Sequence, residues 1–198
     1  MVIGAVLTQA VSWTNAARAI ANLRAAGLLS LKALSQASAQ EVAPAIRPAG
    51  YFNAKARKLA AIACFVQEAG GLDMLRARAD APLRAELLGV HGVGAETADA
   101  ILCYALDQPA FVADAYSRRV LGRVGVLPEE AGRSYERARA YLLPRLPRHP
   151  AWLGEFHALL VAVGKEWCRP ANPRCALCPL CARCLWARKH AASDGRAG

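Results

Sequence analysis

The sequence predicts an all-α protein. Apolar residues recur at intervals of three and four along most of the chain, the spacing that gives a helix one apolar face. No segment shows a convincing alternation of apolar and polar residues, the pattern typical of a half-buried strand. Glycine, proline and helix-capping residues interrupt the apolar pattern and divide the chain into separate helices.

Capping residues mark the first helices. An apolar helical pattern begins at Met1, and Ser12 can cap a second helix that Gly27 ends. Ser38 and Glu41 have the spacing of a capping box, in which each residue bonds to the backbone of the other. These signals predict three helices in the first quarter of the chain.

The next helices lead to a glycine-rich hairpin. Asn53 can cap a long basic helix that continues to Gly70. Pro82 opens the helix that runs into the stretch 87–102, where glycines interrupt the helical pattern before it resumes. Backbone N–H groups at the start of a helix have no intrahelical partner, so they suit a phosphate.

Three further elements follow the hairpin. A short extended run at 111–113 precedes Asp114, which begins the next helix. Helices are then predicted over 132–143 and 151–167, with prolines between them. An aspartate directly before a helix is most often an N-cap, so Asp114 alone does not indicate catalysis.

Composition indicates an anionic partner. The chain has 198 residues, a formal charge of +10 and a pI near 9.7, which favours nucleic acid over a neutral ligand. No apolar run reaches membrane-spanning length, and the N-terminus lacks the basic region of a signal peptide. We therefore expect a cytoplasmic protein whose partner is a nucleic acid.

Five of the seven cysteines lie between residues 168 and 184, which predicts a metal site rather than a disulfide scaffold. Cys168, Cys175, Cys178 and Cys184 have the spacing C-x6-C-x2-C-x5-C, and four thiolates suit an iron–sulfur cluster or zinc. Cys181 adds a second pattern of the bacterial ferredoxin type. The residues by themselves leave the metal and the choice of four ligands open.

Two motifs together resemble the endonuclease III superfamily of DNA glycosylases. They are the hairpin, with Gly92-Val93-Gly94 and Thr97-Ala98 followed by Asp114, and the cysteine run. The resemblance covers nearly the whole chain and implies a [4Fe-4S] cluster held by Cys168, Cys175, Cys178 and Cys184. In that family the cluster is a structural clip, not a catalyst.

The resemblance also implies two helical domains flanking a DNA-binding cleft. Residues 1–108 would form a helical barrel with the helix-hairpin-helix, and residues 109–198 would form the iron–sulfur cluster domain. A helix that precedes residue 1 in the family, and packs on the cluster domain, is expected to be missing here. Asp114 would lie at the cleft.

The chemistry of base excision assigns roles to two carboxylates. Cleaving an N-glycosidic bond builds positive charge on the sugar, and the resemblance places Asp114 where a carboxylate would stabilise that charge and activate water. Endonuclease III has its Schiff-base lysine two residues after the second hairpin glycine, where this chain has Glu96. Glutamate cannot form an imine, which predicts a monofunctional glycosylase. Glu96 can alternatively complement the helix dipole.

The same resemblance assigns DNA contacts and a base pocket. Gln9 would fill the gap left by the extruded base and Tyr51 would wedge into the duplex, although a helix-end glutamine and a loop-packing tyrosine are the plain alternatives. Trp13 and Phe52 would stack on the base, although Trp13 can also belong to the core. The DNA-binding candidates are Gln9, Tyr51, Lys55, Gly92, Val93, Gly94, Thr97, Arg169 and Arg174.

The predicted function is removal of a damaged base, with alkylated purines as first candidates because residues 94–104 resemble the 3-methyladenine DNA glycosylase III branch. The expected partner is double-stranded DNA bearing a damaged base, bound by a monomer. One alternative is a bifunctional oxidised-pyrimidine glycosylase and AP lyase that uses Lys55 or Lys165. Another is a DNA-damage-binding protein with weak catalysis.

Overall fold

The computed structural model describes the backbone of residues 1–194 and the side chains of residues 1–190. Within that range the chain forms thirteen α-helices and no β-strand, which confirms the all-α prediction. The chain divides into two compact units, Met1–Gln108 and Pro109–Gly198. None of the helices in the described range is long and apolar enough to cross a membrane.

The first unit is built around its longest helix. Its helices are α1 (Val2–Leu7), α2 (Trp13–Ala25), α3 (Leu31–Gln36), α4 (Ala39–Val42), α5 (Phe52–Glu68), α6 (Leu72–Arg76), α7 (Asp80–Gly89) and α8 (Ala95–Ala105). α5 packs against α1, α3 and α4 and buries Leu59, Ile62 and Val66 completely or almost so. A short 3-10 turn, Arg47–Ala49, joins α4 to α5.

Local capping chemistry was predicted correctly at two helix starts and wrongly at a third. The Ser12 side chain accepts the Asn15 amide at the start of α2, and both halves of the Ser38–Glu41 capping box form at α4. Asn53 does not cap α5, because the helix already begins at Phe52. Tyr51 occupies the N-cap position in a left-handed conformation, with φ of 45°.

The helices on either side of the hairpin, residues 90–94, are held together by a buried ion pair. Arg84 of α7 donates from Nε and Nη2 to the two carboxylate oxygens of Asp99 in α8, at 2.8 and 3.0 Å. Asp99 is fully buried, so the pair is shielded from solvent. This bidentate contact fixes the angle at which the hairpin is presented.

The second unit surrounds the pairing of its two central helices. Its helices are α9 (Ala115–Val124), α10 (Glu129–Gly132), α11 (Tyr135–Leu142), α12 (Pro150–Glu166) and α13 (Leu185–Asp194). α9 packs on α12, where Gly164 leaves room for the ring of Tyr116. The helix predicted over 132–143 is present as α11 but starts later than predicted, because Ser134 accepts the Arg137 amide and caps it, while Gly132 ends α10.

Candidate functional site

The hairpin contains two glycines with different structural requirements. Gly92 has φ of +80°, and a Cβ there would lie 2.2 Å from Cγ of Lys58, so only glycine fits. Gly94 has an ordinary extended backbone, and no atom of the chain lies within 4 Å of a Cβ added there. Gly94 is therefore not needed for folding, which leaves close approach of a ligand as a reason for glycine.

Gln9 binds directly to the hairpin. Its Nε2 donates to the Gly92 carbonyl at 3.1 Å and to Thr97 Oγ1 at 2.9 Å, while its Oε1 accepts from Lys58 Nζ at 2.7 Å. Thr97 is buried by this arrangement. The Thr97 side chain therefore positions Gln9 instead of facing outward to DNA, which corrects its predicted role. Lys58 was not among the site residues predicted from the sequence.

Val93 belongs to the core of the first unit. The residue is only 5% exposed, and its backbone amide donates to the Val90 carbonyl at 3.0 Å. Neither group of Val93 is therefore placed to bind a phosphate, and we correct its prediction as a DNA contact. The glycines on either side remain candidates.

Lys55 is not a surface cation. The residue is 2% exposed, and Nζ donates to the carbonyls of Leu7 and Ala49, both at 2.8 Å. Burial lowers the pKa of the Lys55 ammonium, and the nearby Lys58 lowers it further. The prediction of Lys55 as a DNA contact is therefore wrong: its charge binds the end of α1 to the loop before α5.

Exposed aromatic side chains lie at the starts of α2 and α5. Tyr51 is 78% exposed and Trp13 is 62% exposed, so neither is a core residue. Phe52 is half-buried, with the Arg47 guanidinium 5.6 Å from its ring centroid. All three rings lie at the start of a helix in the first unit, where a ligand can reach them.

Asp114 has two partners in the second unit. Its Oδ1 accepts the Ser117 amide at 2.7 Å, the N-cap contact of α9. Its Oδ2 lies 3.6 Å from Nε2 of His157, which extends from α12. The side chains of Asp114 and His157 are only 12% and 14% exposed. Asp114 is thus a cap that also carries a second, specific interaction.

The environment of Asp114 keeps it ionised. Burial alone would raise the pKa of the carboxyl, but the interaction with His157 and the hydrogen bond from the Ser117 amide lower it, and the net pKa lies below its ordinary value. His157 was not among the residues predicted from the sequence. The available signal was its place on the buried face of α12, between Leu153 and Leu160.

Glu96 is exposed in the first turn of α8, two residues after Gly94. A carboxylate there is favourable to the positive end of the helix. The same position makes it part of the surface that includes the hairpin. Its placement is compatible with both roles considered for it.

Five cysteines of the second unit line one small cavity. They are Cys168, Cys175, Cys178, Cys181 and Cys184. None of these five cysteines forms a disulfide. Burial raises the pKa of Cys175, and the surrounding thiols raise it further, as they also do for Cys178. Among the described residues, no three Cys, His, Asp or Glu side chains are placed to hold a single metal ion.

Two arginines of α9 fasten the cysteine loop. Arg119 donates from Nε to the Cys168 carbonyl at 2.7 Å, and Arg123 donates from Nη1 to Cys168 Sγ at 3.4 Å and to the Arg169 carbonyl at 2.7 Å. Arg174, in contrast, is exposed and pairs with Glu166 at 3.5 Å. Arg169 and Arg174 therefore remain the candidates for a DNA-backbone contact in this loop.

Comparison with known proteins gives a family match over most of the chain. Residues 3–145 match the model of the HhH-GPD superfamily base excision DNA repair protein. A Methanocaldococcus jannaschii protein with the provisional name DNA repair glycosylase is 40% identical over 188 residues, covering 93% of this chain and 84% of that protein. Endonuclease III of Thermotoga maritima is 28% identical over 164 residues, 82% of this chain and 71% of that protein.

Solved structures agree with this match. A non-covalent endonuclease III–DNA complex has a TM-score of 0.77 and 21% identity, covering 96% of this chain and 84% of that chain, which shows the same fold. The Helicobacter pylori 3-methyladenine DNA glycosylase bound to 1,N6-ethenoadenine has a TM-score of 0.71 and 25% identity, covering 83% of each chain.

Proposed function

This chain belongs to the HhH-GPD superfamily of base excision DNA repair proteins and is a DNA glycosylase, and on that premise we propose that it is monofunctional and removes an alkylated base without cutting the strand. The observation that carries the proposal is the buried, ionised Asp114 together with Glu96 after the hairpin. A carboxylate supports hydrolysis, whereas a lyase needs an amine nucleophile.

Asp114 acts by electrostatic stabilisation. As the bond between sugar and base breaks, positive charge develops on the sugar, and a carboxylate held beneath it lowers the barrier. The same carboxylate can accept a proton from the attacking water. The hydrogen bond from Ser117 fixes its orientation, and the contact with His157 favours its charged form.

Alkylated purines suit the exposed aromatic rings. A purine alkylated on a ring nitrogen is cationic, so it leaves easily and is attracted to aromatic faces. Trp13 and Tyr51 are exposed rings of the first unit that can stack on such a base. The H. pylori relative is named for 3-methyladenine, an alkylated purine, which further supports this substrate class.

The cysteine cavity supports a [4Fe-4S] cluster. Cys168, Cys175, Cys178 and Cys184 would hold it, and its part is to clip the loop into a fixed shape. The thiols surround a cavity without converging on a point. That arrangement fits a group in which each thiolate binds a different iron, better than one zinc with all ligands about 2.3 Å away.

Double-stranded DNA with a damaged base is the proposed substrate, bound by a monomer in the cytoplasm. The charge of +10 favours association with the phosphate backbone. The amides at the start of α8, beside Gly94, are the proposed phosphate site of the first unit. Extrusion of the base is required because the glycosidic bond is hidden within the duplex.

Lys58 is the lysine that a lyase mechanism would use, if one operates. It lies beside the hairpin with Nζ on Gln9, whereas Lys55 is buried against carbonyls. Lys165 is exposed near the end of α12 in the other unit. A bifunctional enzyme is therefore the second candidate, with Lys58 in place of the lysines first considered.

Single-turnover excision on an oligonucleotide with one alkylated purine tests the proposal. Strand breaks should form only after alkali, and Asp114→Asn should lower the rate by about 10²–10³ while preserving the helix, since asparagine is an equally good N-cap. Breaks without alkali that vanish in Lys58→Gln would establish the bifunctional enzyme. Binding without excision of alkylated or oxidised bases would establish a damage-binding protein.

A further inference from the structure

Four of the five cysteines follow one another at a period of three along the loop. The amide of Cys178 donates to the Cys175 carbonyl at 3.1 Å, that of Cys181 to Cys178 at 2.9 Å, and that of Cys184 to Cys181 at 3.2 Å. Side chains three residues apart lie on the same side of such turns. The backbone therefore places Cys181 on the same side as its three neighbours.

Burial confirms this placement. Cys175, Cys178 and Cys181 are half-buried and Cys184 is buried, whereas most residues between them are exposed. All four line the same cavity, together with Cys168. A [4Fe-4S] cluster takes four thiolates, and five cysteines line the cavity, so one cysteine is spare.

We propose that Cys181 is an exchangeable ligand, able to replace Cys184 on the same iron, so that the loop can hold its cluster through either of two sets of four cysteines. This inference rests on the proposed cofactor. The spacing of Cys184 matches the family, and that of Cys181 continues the period-three run. The two cysteines are the ends of one hydrogen-bonded turn, Cys181–Arg183 and the following residue.

Cys184 has a second partner available when it leaves the iron. Its Sγ lies 3.3 Å from the Arg123 carbonyl, the geometry of a thiol donating to that oxygen. A displaced Cys184 thiol would therefore not be a buried donor without an acceptor. Cys168, in contrast, is fastened through its carbonyl by Arg119 and at its sulfur by Arg123, so it is fixed in both sets.

The exchange is balanced without any redox reaction. The Cys181 thiol would lose its proton to water and bind the iron as a thiolate. The bond from Cys184 to the same iron would break, and the Cys184 sulfur would take up a proton from water, so that its S–H donates a hydrogen bond to the Arg123 carbonyl. The oxidation states of iron and sulfur are unchanged, and no further reactant is needed.

Iron content and spectra of purified variants test the proposal. Wild type, Cys181→Ser and Cys184→Ser should each hold about four irons per chain and absorb as [4Fe-4S] proteins. The double variant Cys181→Ser/Cys184→Ser should hold none. Cys175→Ser is the matched control and should also lose its iron, because no spare cysteine is available to replace Cys175. The preceding position of the period-three run is Asn172, which has no thiol. Cys184→Ser should have a shifted reduction potential, since a more exposed sulfur then binds the iron.

A second measurement does not depend on how well Cys184→Ser folds. With a chelator in excess, Cys181→Ser should lose iron severalfold faster than wild type, because no spare thiol recaptures an open iron site. Cys103→Ser, which removes a buried thiol from the other unit, should lose it at the wild-type rate. Equal rates for Cys181→Ser and wild type would overturn the proposal.

The remaining outcomes separate the exchange from the cofactor. Iron-loaded wild type with a folded but iron-free Cys184→Ser would overturn the exchange and leave the cofactor standing. An iron-free Cys181→Ser beside a loaded Cys184→Ser would make Cys181 the fixed ligand and also overturn it. Wild type that is folded and holds no iron would overturn the cofactor and, with it, the exchange.

Discussion

Nε2 of His157 lies 3.6 Å from Oδ2 of Asp114, and both side chains are largely buried in the second unit. The contact joins the start of α9 to the middle of α12. The aspartate thereby acquires a charge-stabilising partner that a plain N-cap would not need. His157 is therefore a positioning residue for the proposed catalytic carboxylate.

Removal of this contact should change the pH dependence of excision. Burial raises the pKa of Asp114, and the interaction with His157 is the first of the effects that lower it. In wild type the lowered pKa should keep Asp114 ionised at neutral and mildly acidic pH, so it should not limit the rate there. In His157→Leu the pKa should rise, and the acid limb of single-turnover excision should move to higher pH.

The controls for this prediction separate positioning from stability. His157→Gln keeps a donor near Asp114 and should restore part of the wild-type profile. His149→Asn, which preserves the N-cap of α12, should leave the profile unchanged. An acid limb in His157→Leu that matches wild type would show that His157 does not act on Asp114.

The same pKa direction has a consequence for folding. The pKa of Asp114 is lower in the folded chain than in the unfolded one, so its ionisation stabilises the fold above the unfolded value of about 3.9. That stability is lost as the pH falls through the folded value. His157→Leu should therefore weaken the dependence of unfolding free energy on pH in the acid range.

The two hairpin glycines should separate folding from DNA binding. A Cβ added at Gly94 meets no atom of the chain within 4 Å, and valine accepts the extended backbone there, so the melting temperature of Gly94→Val should match wild type. Its side chain would stand between a phosphate and the α8 amides. Loss of one hydrogen bond to a charged group costs about 1.5–3 kcal/mol, so Kd should rise roughly 10- to 100-fold.

Gly92→Val is the contrasting variant. Its positive φ and the overlap with Lys58 predict a destabilised hairpin, with lower melting temperature as well as weaker binding. The loss of affinity in Gly94→Val should be equal for different DNA sequences, since phosphate contacts carry no sequence information. Unchanged affinity in Gly94→Val, measured by fluorescence anisotropy, would remove the hairpin from the DNA interface.

Local signals in the sequence predicted local structure well. The Ser12 cap and the Ser38–Glu41 capping box form because each involves only groups within three residues of one another. The all-α class follows similarly from apolar periodicity. The cysteines that line one cavity were also visible, since they lie close together along the chain.

Contacts between distant segments were not visible. Lys55 looks like a surface cation in the sequence, and only the carbonyl of Leu7, brought from 48 residues away, shows that it is buried. His157 looks like an interruption of an apolar stripe until Asp114 is found beside it. A polar side chain on a buried helix face was the signal in both cases, but its partner could not be inferred from sequence spacing.

Lys55 should therefore contribute to stability and not to DNA binding. In Lys55→Met the apolar stem is kept, but the carbonyls of Leu7 and Ala49 lose their donor, at about 1–3 kcal/mol for each buried group left unsatisfied. For a chain of this size each kcal/mol lowers Tm by about 2–4 °C. Arg57→Met, on the exposed side of the same helix, should change stability by less than about 0.5 kcal/mol.

DNA titrations over a range of salt concentrations complete the test. Below its melting temperature Lys55→Met should bind DNA with the wild-type slope of log Kd against log salt, because no phosphate contact is lost. Lys58→Met should instead keep Tm within a few degrees of wild type and bind more weakly, since its Nζ lies on Gln9 beside the hairpin. A smaller salt slope for Lys55→Met, with an unchanged Tm, would return Lys55 to the DNA-binding surface and refute the structural role assigned to it here.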